Sequence, residues 1–223
     1  CRIAWMAGAK AHDLQVRRAV VFDHAQVRDG RAAGQLHDAA AEGAFADISA
    51  AGICSVVPQL TPIVAALLED TGAPAPRIVR PQSAPWFPTR YRTMDTLGAD
   101  RFCTVLAARE TAGAPVVVID CGTATTVNVV DRDGFFRGGS IAPGVDTAFA
   151  ALHHRTAQLP ALTAETVEIL GEDSAASIRS GVIHFTRLAL EGMLQEIIKK
   201  IGPDIPVFLT GGKAPVVLGA GLW

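Results

Sequence analysis

The run Val116-Val117-Val118-Ile119, ending in Asp120, constrains the fold more than any other stretch of the chain. Side chains branched at Cβ favour extended backbone, so these residues form a strand that carries a carboxylate to its end. Cys121-Gly122-Thr123-Ala124-Thr125-Thr126 follows, and Val127-Asn128-Val129-Val130 returns before an Asp131-Arg132-Asp133-Gly134 turn. The pattern is a hairpin with a Gly/Thr-rich tip. Such a tip can set backbone N–H groups and three hydroxyls around phosphate oxygens while the carboxylate faces a cation or its water shell. The same residues also suit an ordinary hairpin, its threonines serving β propensity and its aspartate capping the turn. No G-x-x-x-x-G-K-[ST] loop and no G-x-G-x-x-G fingerprint occurs, which excludes those two nucleotide-binding patterns from the sequence shown.

The first forty residues read as β-meander, with strands over Cys1 to Met6 and Arg17 to Phe22. Gly52-Ile53-Cys54-Ser55-Val56-Val57-Pro58 is an apolar run suited to a buried parallel strand. Thr61 to Glu69 then has helical periodicity, with Thr61 as cap and Pro62 at the first helical position. Ile78-Val79 suggests another short strand. Pro81, Pro85 and Pro88 make an irregular segment leading to Tyr91, and the pattern from Asp95 to Ala112 is helical. Gly138-Gly139 and Pro143-Gly144 are either cleft-lining loops or simple turns. Helices are expected near Val145 to His153 and Ser174 to Lys200, and the strand Val207-Phe208-Leu209 opens into Thr210-Gly211-Gly212. A boundary near residues 111 to 115 divides the chain into segments 1–112 and 113–223, each mixing a β-meander with strand–helix units. The expected class is α/β, two lobes with a cleft between them.

Hydrophobic residues make up 49% of the 223 residues and charged ones 19%, which excludes a disordered chain and predicts a packed core. A formal charge of −2 with scattered arginines offers no basic stripe for nucleic acid. The four cysteines, Cys1, Cys54, Cys103 and Cys121, form no C-x-x-C pair, and three lie in apolar runs where a reduced thiol packs as a small hydrophobe. With no membrane-length apolar stretch and no leader at the start shown, the expectation is a cytoplasmic protein without a membrane partner.

Leu97-Gly98-Ala99-Asp100-Arg101 sits at a helix start. An aspartate there can accept a proton from a substrate hydroxyl and an arginine can pair with a substrate carboxylate; a surface helix start with an aspartate favoured by the dipole explains the same residues. Thr210-Gly211-Gly212 after its strand lets a backbone approach a flat ring or ribose, or simply connects a strand to a helix. His153-His154 has no further ligand at metal spacing and reads as a solvated helix face.

In their order along the chain, ICSVVPQLTP, Tyr91 with LGADR, VVVIDCGTATTVNVVD, GGSIAPG, Gln158-Leu159-Pro160, SAASIRSG and LTGG resemble the type III pantothenate kinase family over nearly all of residues 50 to 213. The resemblance implies two tandem ribonuclease-H-like, actin-like ATPase lobes, a homodimer, and transfer of the ATP γ-phosphoryl group to pantothenate at the first step of coenzyme A synthesis. It implies Asp100 as general base, with Tyr91, Gly98, Ala99, Asp100, Arg101 and Ser174 on pantothenate. Asp120 is implied to hold a monovalent cation, potassium or ammonium; Gly122 and Thr123 meet ATP phosphate, Thr210, Gly211 and Gly212 lie near the adenosine, and Mg2+ travels with the nucleotide. Ser174 stands where the family carries a threonine, keeping the hydroxyl. The family's opening strand and D-x-G-N-[ST] phosphate loop are not in this sequence, so a short piece is expected before Cys1, and a tail after LTGG. A non-catalytic accessory or regulatory homologue of the same fold is the competing expectation, and another small-molecule kinase or phosphatase the runner-up among enzymes.

Overall fold

The computed structural model of the chain describes residues 2–7, 15–22, 24–43, 45 and 48–219. The chain divides into two units, Cys1–Trp86 with Thr93–Cys103, and Phe87–Arg92 with Thr104–Trp223.

In the first unit β1 (Arg2–Ala7) and β2 (Gln15–Val21) pair antiparallel, from Arg2 opposite Val21 to Ala7 opposite Gln15, with a register shift between Trp5 and Met6. Cys1 lies outside the described residues. The β-meander expected for the first forty residues stops there, because α1 (His24–Arg28) and α2 (Arg31–Ala41) follow. Alanine is the strongest helix former, and Ala32, Leu36 and Ala39 recur at helical spacing, each no more than 1% exposed. Gly30, at φ 83°, makes the turn into α2.

β3 (Gly52–Cys54) and β4 (Arg77–Val79) are parallel and joined through α3 (Thr61–Asp70), a strand–helix–strand crossover. β3 is shorter than its apolar run. Thr61 is not the cap: Leu60 holds that position, and the Thr61 hydroxyl instead donates to Ser55 Oγ at 2.8 Å, tying the helix start to the end of β3. Leu36, Phe45, Ile53, Val64 and Leu68 form the core of this unit. α4 (Ala99–Ala112) begins four residues later than the periodicity suggested. Met94–Thr96 is a separate 3-10 turn, and the backbone at Leu97 is extended.

The second unit is built on a four-stranded sheet in the order β7-β6-β5-β8, comprising β5 (Val116–Cys121), β6 (Ala124–Val130), β7 (Phe136–Pro143) and β8 (Val207–Thr210). The first two pairings are antiparallel, and β8 lies parallel to β5 with Thr210 opposite Asp120. α5 (Val145–Arg155) and α6 (Ser174–Ile201) fill the crossover, and α7 (Ala214–Leu218) follows β8. Val117, Ile119, Cys121, Val127 and Val129 pack with Val145, Phe149, Ile183, Leu190 and Leu194 from these helices. Val116 and Val118 point the other way and are equally buried. A strand covered on both faces needs no polar alternation, which explains the unbroken run; each such side chain contributes roughly 1.5–3 kcal/mol by burial.

β7 replaces the loop or turn expected at Gly138-Gly139, while Pro143 ends the strand and Gly144 turns the chain into α5. Two glycines obscure a strand by propensity, yet both have structural reasons. A Cβ at Gly139 would overlap the Val127 carbonyl, and Gly138, at φ +89°, lies where the β6–β7 register shifts. The result is a mixed α/β protein with parallel and antiparallel sheets.

Candidate active site

In the first unit, Phe102 N–H donates to the Gly98 carbonyl at 3.1 Å, which makes Gly98 the residue just before α4 and sets Asp100 in its first turn. A carboxylate is favoured there by the helix dipole, typically by about 0.3–1 kcal/mol. Asp100 is exposed, and its Oδ1 accepts the Arg101 N–H at 2.7 Å. A Cβ on residue 98 would stand 2.5 Å from that oxygen, so glycine is what lets the carboxylate fold back over the helix start. An open cavity of about 670 Å³ adjoins this turn, with Ser55, Val56, Gln82, Asp95, Gly98 and Ala99 among its walls. Gln82 Nε2 donates to Asp95 Oδ1 at 2.7 Å and stiffens one side. Arg101, expected to face a substrate carboxylate, is only 7% exposed.

Cys54 and Cys103 share a thiol–thiol hydrogen bond beside Asp100. That bond, burial and the Asp100 charge together push the Cys54 thiol far above its ordinary range. Cys54 is nonetheless exposed as a residue, a departure from the buried small hydrophobe expected within its apolar run.

In the second unit, Asp120 lies at the end of β5 opposite Thr126 on one side and Thr210 on the other. Gly122 and Thr123 form the hairpin tip, closed by Gly122 N–H to the Ala124 carbonyl at 3.1 Å. The Asp120 carboxylate lies against two glycines: a Cβ at Gly122 would be 3.5 Å from Oδ1, and one at Gly211 only 2.5 Å. Gly211 has φ +93°, a conformation that L side chains rarely adopt. Thr123 is exposed, whereas Thr125 and Thr126 are buried. β6 is covered on both faces, so only one of the three hydroxyls expected around a phosphate is presented there. Burial and the Asp120 charge push the neighbouring Cys121 thiol up to about 11.

The tip rests on the start of α5. The Thr123 carbonyl accepts Gly144 N–H at 3.0 Å and the Thr147 hydroxyl at 2.6 Å. A Cβ at Gly144 would overlap the Gly122 and Thr123 carbonyls, so glycine is required by close approach. Lys213 N–H donates to the Cys121 carbonyl at 3.0 Å, and Lys213 Nζ meets Asp146 Oδ1 at 3.0 Å. Thr147, Asp146 and Lys213 were not singled out from sequence. Their action on backbone atoms and on each other across the fold leaves no local signature.

Asp120, Gly122, Thr123, Thr210 and Gly211 are therefore brought together in the second unit, with Gly212 next along the chain. Gly98, Ala99, Asp100 and Arg101 form one turn of the first. Tyr91 belongs to the second unit, its ring 5.6 Å from that of Phe136 and closely packed over Gly138. Ser174 is exposed at the first position of α6, behind Asp173, whose carboxylate accepts Ala176 N–H at 2.8 Å. His153 and His154 are exposed, and among the described residues no group of three His, Cys, Asp or Glu is placed to hold a metal ion. No helix among the described residues is long and apolar enough to cross a membrane.

A family model described as type III pantothenate kinase matches residues 2–196. The chain belongs to the type III pantothenate kinase family. Among curated relatives of that name, the protein of Desulfosudis oleivorans is 35% identical over 178 residues, covering 79% of this chain and 70% of the relative. That of Thermomicrobium roseum is 36% identical over 166 residues, covering 74% and 64%. That of Rhodospirillum rubrum is 40% identical over 123 residues, covering 55% and 48%. The chain thus spans between about half and 70% of the length of these three relatives.

Proposed function

We propose that the protein phosphorylates pantothenate at the expense of ATP. The observation that carries this reading is the family match across residues 2–196, which includes both carboxylate turns described above. Pantothenate is assigned to Tyr91, Gly98, Ala99, Asp100, Arg101 and Ser174. ATP phosphate is assigned to Gly122 and Thr123, and the adenosine to Thr210, Gly211 and Gly212. In this reading the pantothenate hydroxyl oxygen bonds to the γ-phosphorus as the bridging bond to ADP breaks, and Asp100 takes the hydroxyl proton. Its exposure suits a base that must reach a bound alcohol, and Gly98 and Ala99 of the same turn line the cavity. Phosphoryl transfer depends mainly on positioning and charge neutralisation, a role that suits glycine turns holding a carboxylate and a hydroxyl.

The family resemblance assigns a monovalent cation, potassium or ammonium, to Asp120, whose carboxylate lies against Gly122 and Gly211. That cation would supply positive charge beside the phosphates, while Mg2+ enters with ATP. The reading also takes in two tandem ribonuclease-H-like lobes, a cytoplasmic location and a homodimer. For the dimer, the exposed Phe185 and Leu188, three residues apart on α6, offer apolar surface for a second copy to bury. Coupled ADP release by the full-length protein with pantothenate, ATP, magnesium and potassium tests the assignment of Asp100. Asp100→Asn is expected to lower kcat by roughly 10²–10⁴-fold, the usual contribution of a general base; turnover within a few-fold of wild type would remove Asp100 from that role.

A further inference from the structure

The Gly122-Thr123 tip is held from outside by side chains to which the family reading gives no role. Its two anchors differ in kind. On one side, the Thr123 carbonyl accepts both Gly144 N–H and the Thr147 hydroxyl, at 3.0 and 2.6 Å. Because the peptide unit is planar, fixing that oxygen with two donors fixes the plane that follows Thr123. The donors themselves do not drift, since Val145 and Phe149 bury the start of α5 in the core at 0% and 3% exposure. On the other side, Lys213 N–H donates to the Cys121 carbonyl just before the tip, and its ammonium group meets Asp146 beside Thr147. The backbone of residue 213 is thereby fastened to one end of the tip and its side chain to the helix that fastens the other.

We propose that Thr147 and the Asp146–Lys213 pair are positioning residues for nucleotide phosphate, holding the Gly122-Thr123 tip and the Gly211-Gly212 turn in one fixed relation before ATP arrives. The inference rests on the assignment of Thr123 to ATP phosphate. Pre-set donors stabilise transferring charge without reorganising at the moment of reaction, and a tip free to rotate about Thr123 loses that advantage. The contribution is to nucleotide binding rather than to pantothenate binding, because every contact in the ring belongs to the segments around Asp120 and none to the Gly98–Arg101 turn.

The test is steady-state kinetics of the full-length protein with ATP and pantothenate varied separately, alongside thermal unfolding of each variant. Thr147→Val, which keeps the shape and removes the donor, is expected to raise the KM for ATP by about 3- to 10-fold, in line with one hydrogen bond. The KM for pantothenate stays as in wild type, the unfolding midpoint falls by no more than the loss of one hydrogen bond brings, and Thr147→Ser restores the ATP value. Asp146→Asn and Lys213→Met each raise the KM for ATP about 2- to 5-fold, as for a partly exposed ion pair, and the double variant matches either single one because both remove the same interaction. A Thr147→Val enzyme with an unchanged KM for ATP, or with both KM values raised alike, overturns the proposal. So does an Asp146→Asn enzyme that binds ATP more tightly, since Lys213 would then act on the nucleotide itself. Thr123→Ala separates the two levels. If it leaves the KM for ATP unchanged, the phosphate assignment fails and this inference with it; if it raises that KM while Thr147→Val does not, only the positioning role fails.

Discussion

Gly211→Ala is expected to cost far more than Gly212→Ala, although the two residues are adjacent. Gly211 has φ +93°, and a Cβ there would lie 2.5 Å from the backbone N and C of Cys121 as well as from Asp120 Oδ1. Backbone atoms of β5 cannot swing aside as a side-chain end can. A side chain in the left-handed region costs roughly 1–2 kcal/mol, and forcing an extra carbon into a packed site about 1–3 kcal/mol, so the expected loss is roughly 2–5 kcal/mol. At Gly212 no atom lies within 4 Å of the added carbon and φ is outside the positive region. Restricting the unfolded chain there stabilises by about 0.4–1 kcal/mol. Urea unfolding followed by far-ultraviolet circular dichroism, with unchanged slopes, reads the difference directly. Equal midpoints for the two variants would refute the account of the β8–α7 turn. The same displacement pushes on Asp120, so Gly211→Ala should also weaken the dependence of turnover on potassium.

Two titrating groups give pH signatures. Burial works to raise the Asp131 carboxyl, but Arg137 at 3.0 Å and the Phe135 and Asp133 N–H groups outweigh it and hold it below the usual value. A lowered folded value gives stability that is present above the unfolded value of 3.8 and lost as pH falls through the folded one. Arg137→Met should therefore move the acid-unfolding midpoint to higher pH, and an unmoved midpoint would count against the pairing. Cys121 has the opposite sense: its thiol is raised from 9.0 to about 11, so the stability it supports is present below pH 9.0 and drains away as pH rises through about 11. Urea midpoints at neutral and alkaline pH should fall less in Cys121→Ala than in wild type; parallel falls would show that this thiol is not the group responsible.

The central strand was legible because its residues act alone. Val116 to Ile119 are branched and apolar, and burial on both faces asks nothing more of them. β7 was not legible, since Gly138 and Gly139 are chosen for a bulge and for a neighbour's carbonyl, neither of which the local sequence displays. α2 was hidden in alanines that hydrophobicity alone does not mark, although Ala32, Leu36 and Ala39 carry its buried face. Near the candidate site, the sequence pointed to Asp100 and Asp120 through the order of motifs shared with the family, since a helix-dipole aspartate or a turn cap explains either one taken alone. It overstated Thr125 and Thr126, whose hydroxyls lie within a covered strand. It missed Thr147, Asp146 and Lys213, which meet the tip only after the chain has travelled through β7, α5, α6 and β8.

The most direct test is ADP release by the full-length protein with ATP, magnesium and potassium, with pantothenate present, absent, or replaced by other hydroxy acids. Release that depends on pantothenate, with phosphorylated pantothenate as the product, is the expected result. A folded protein that binds ATP yet releases ADP no faster with pantothenate than without it would contradict the assigned reaction.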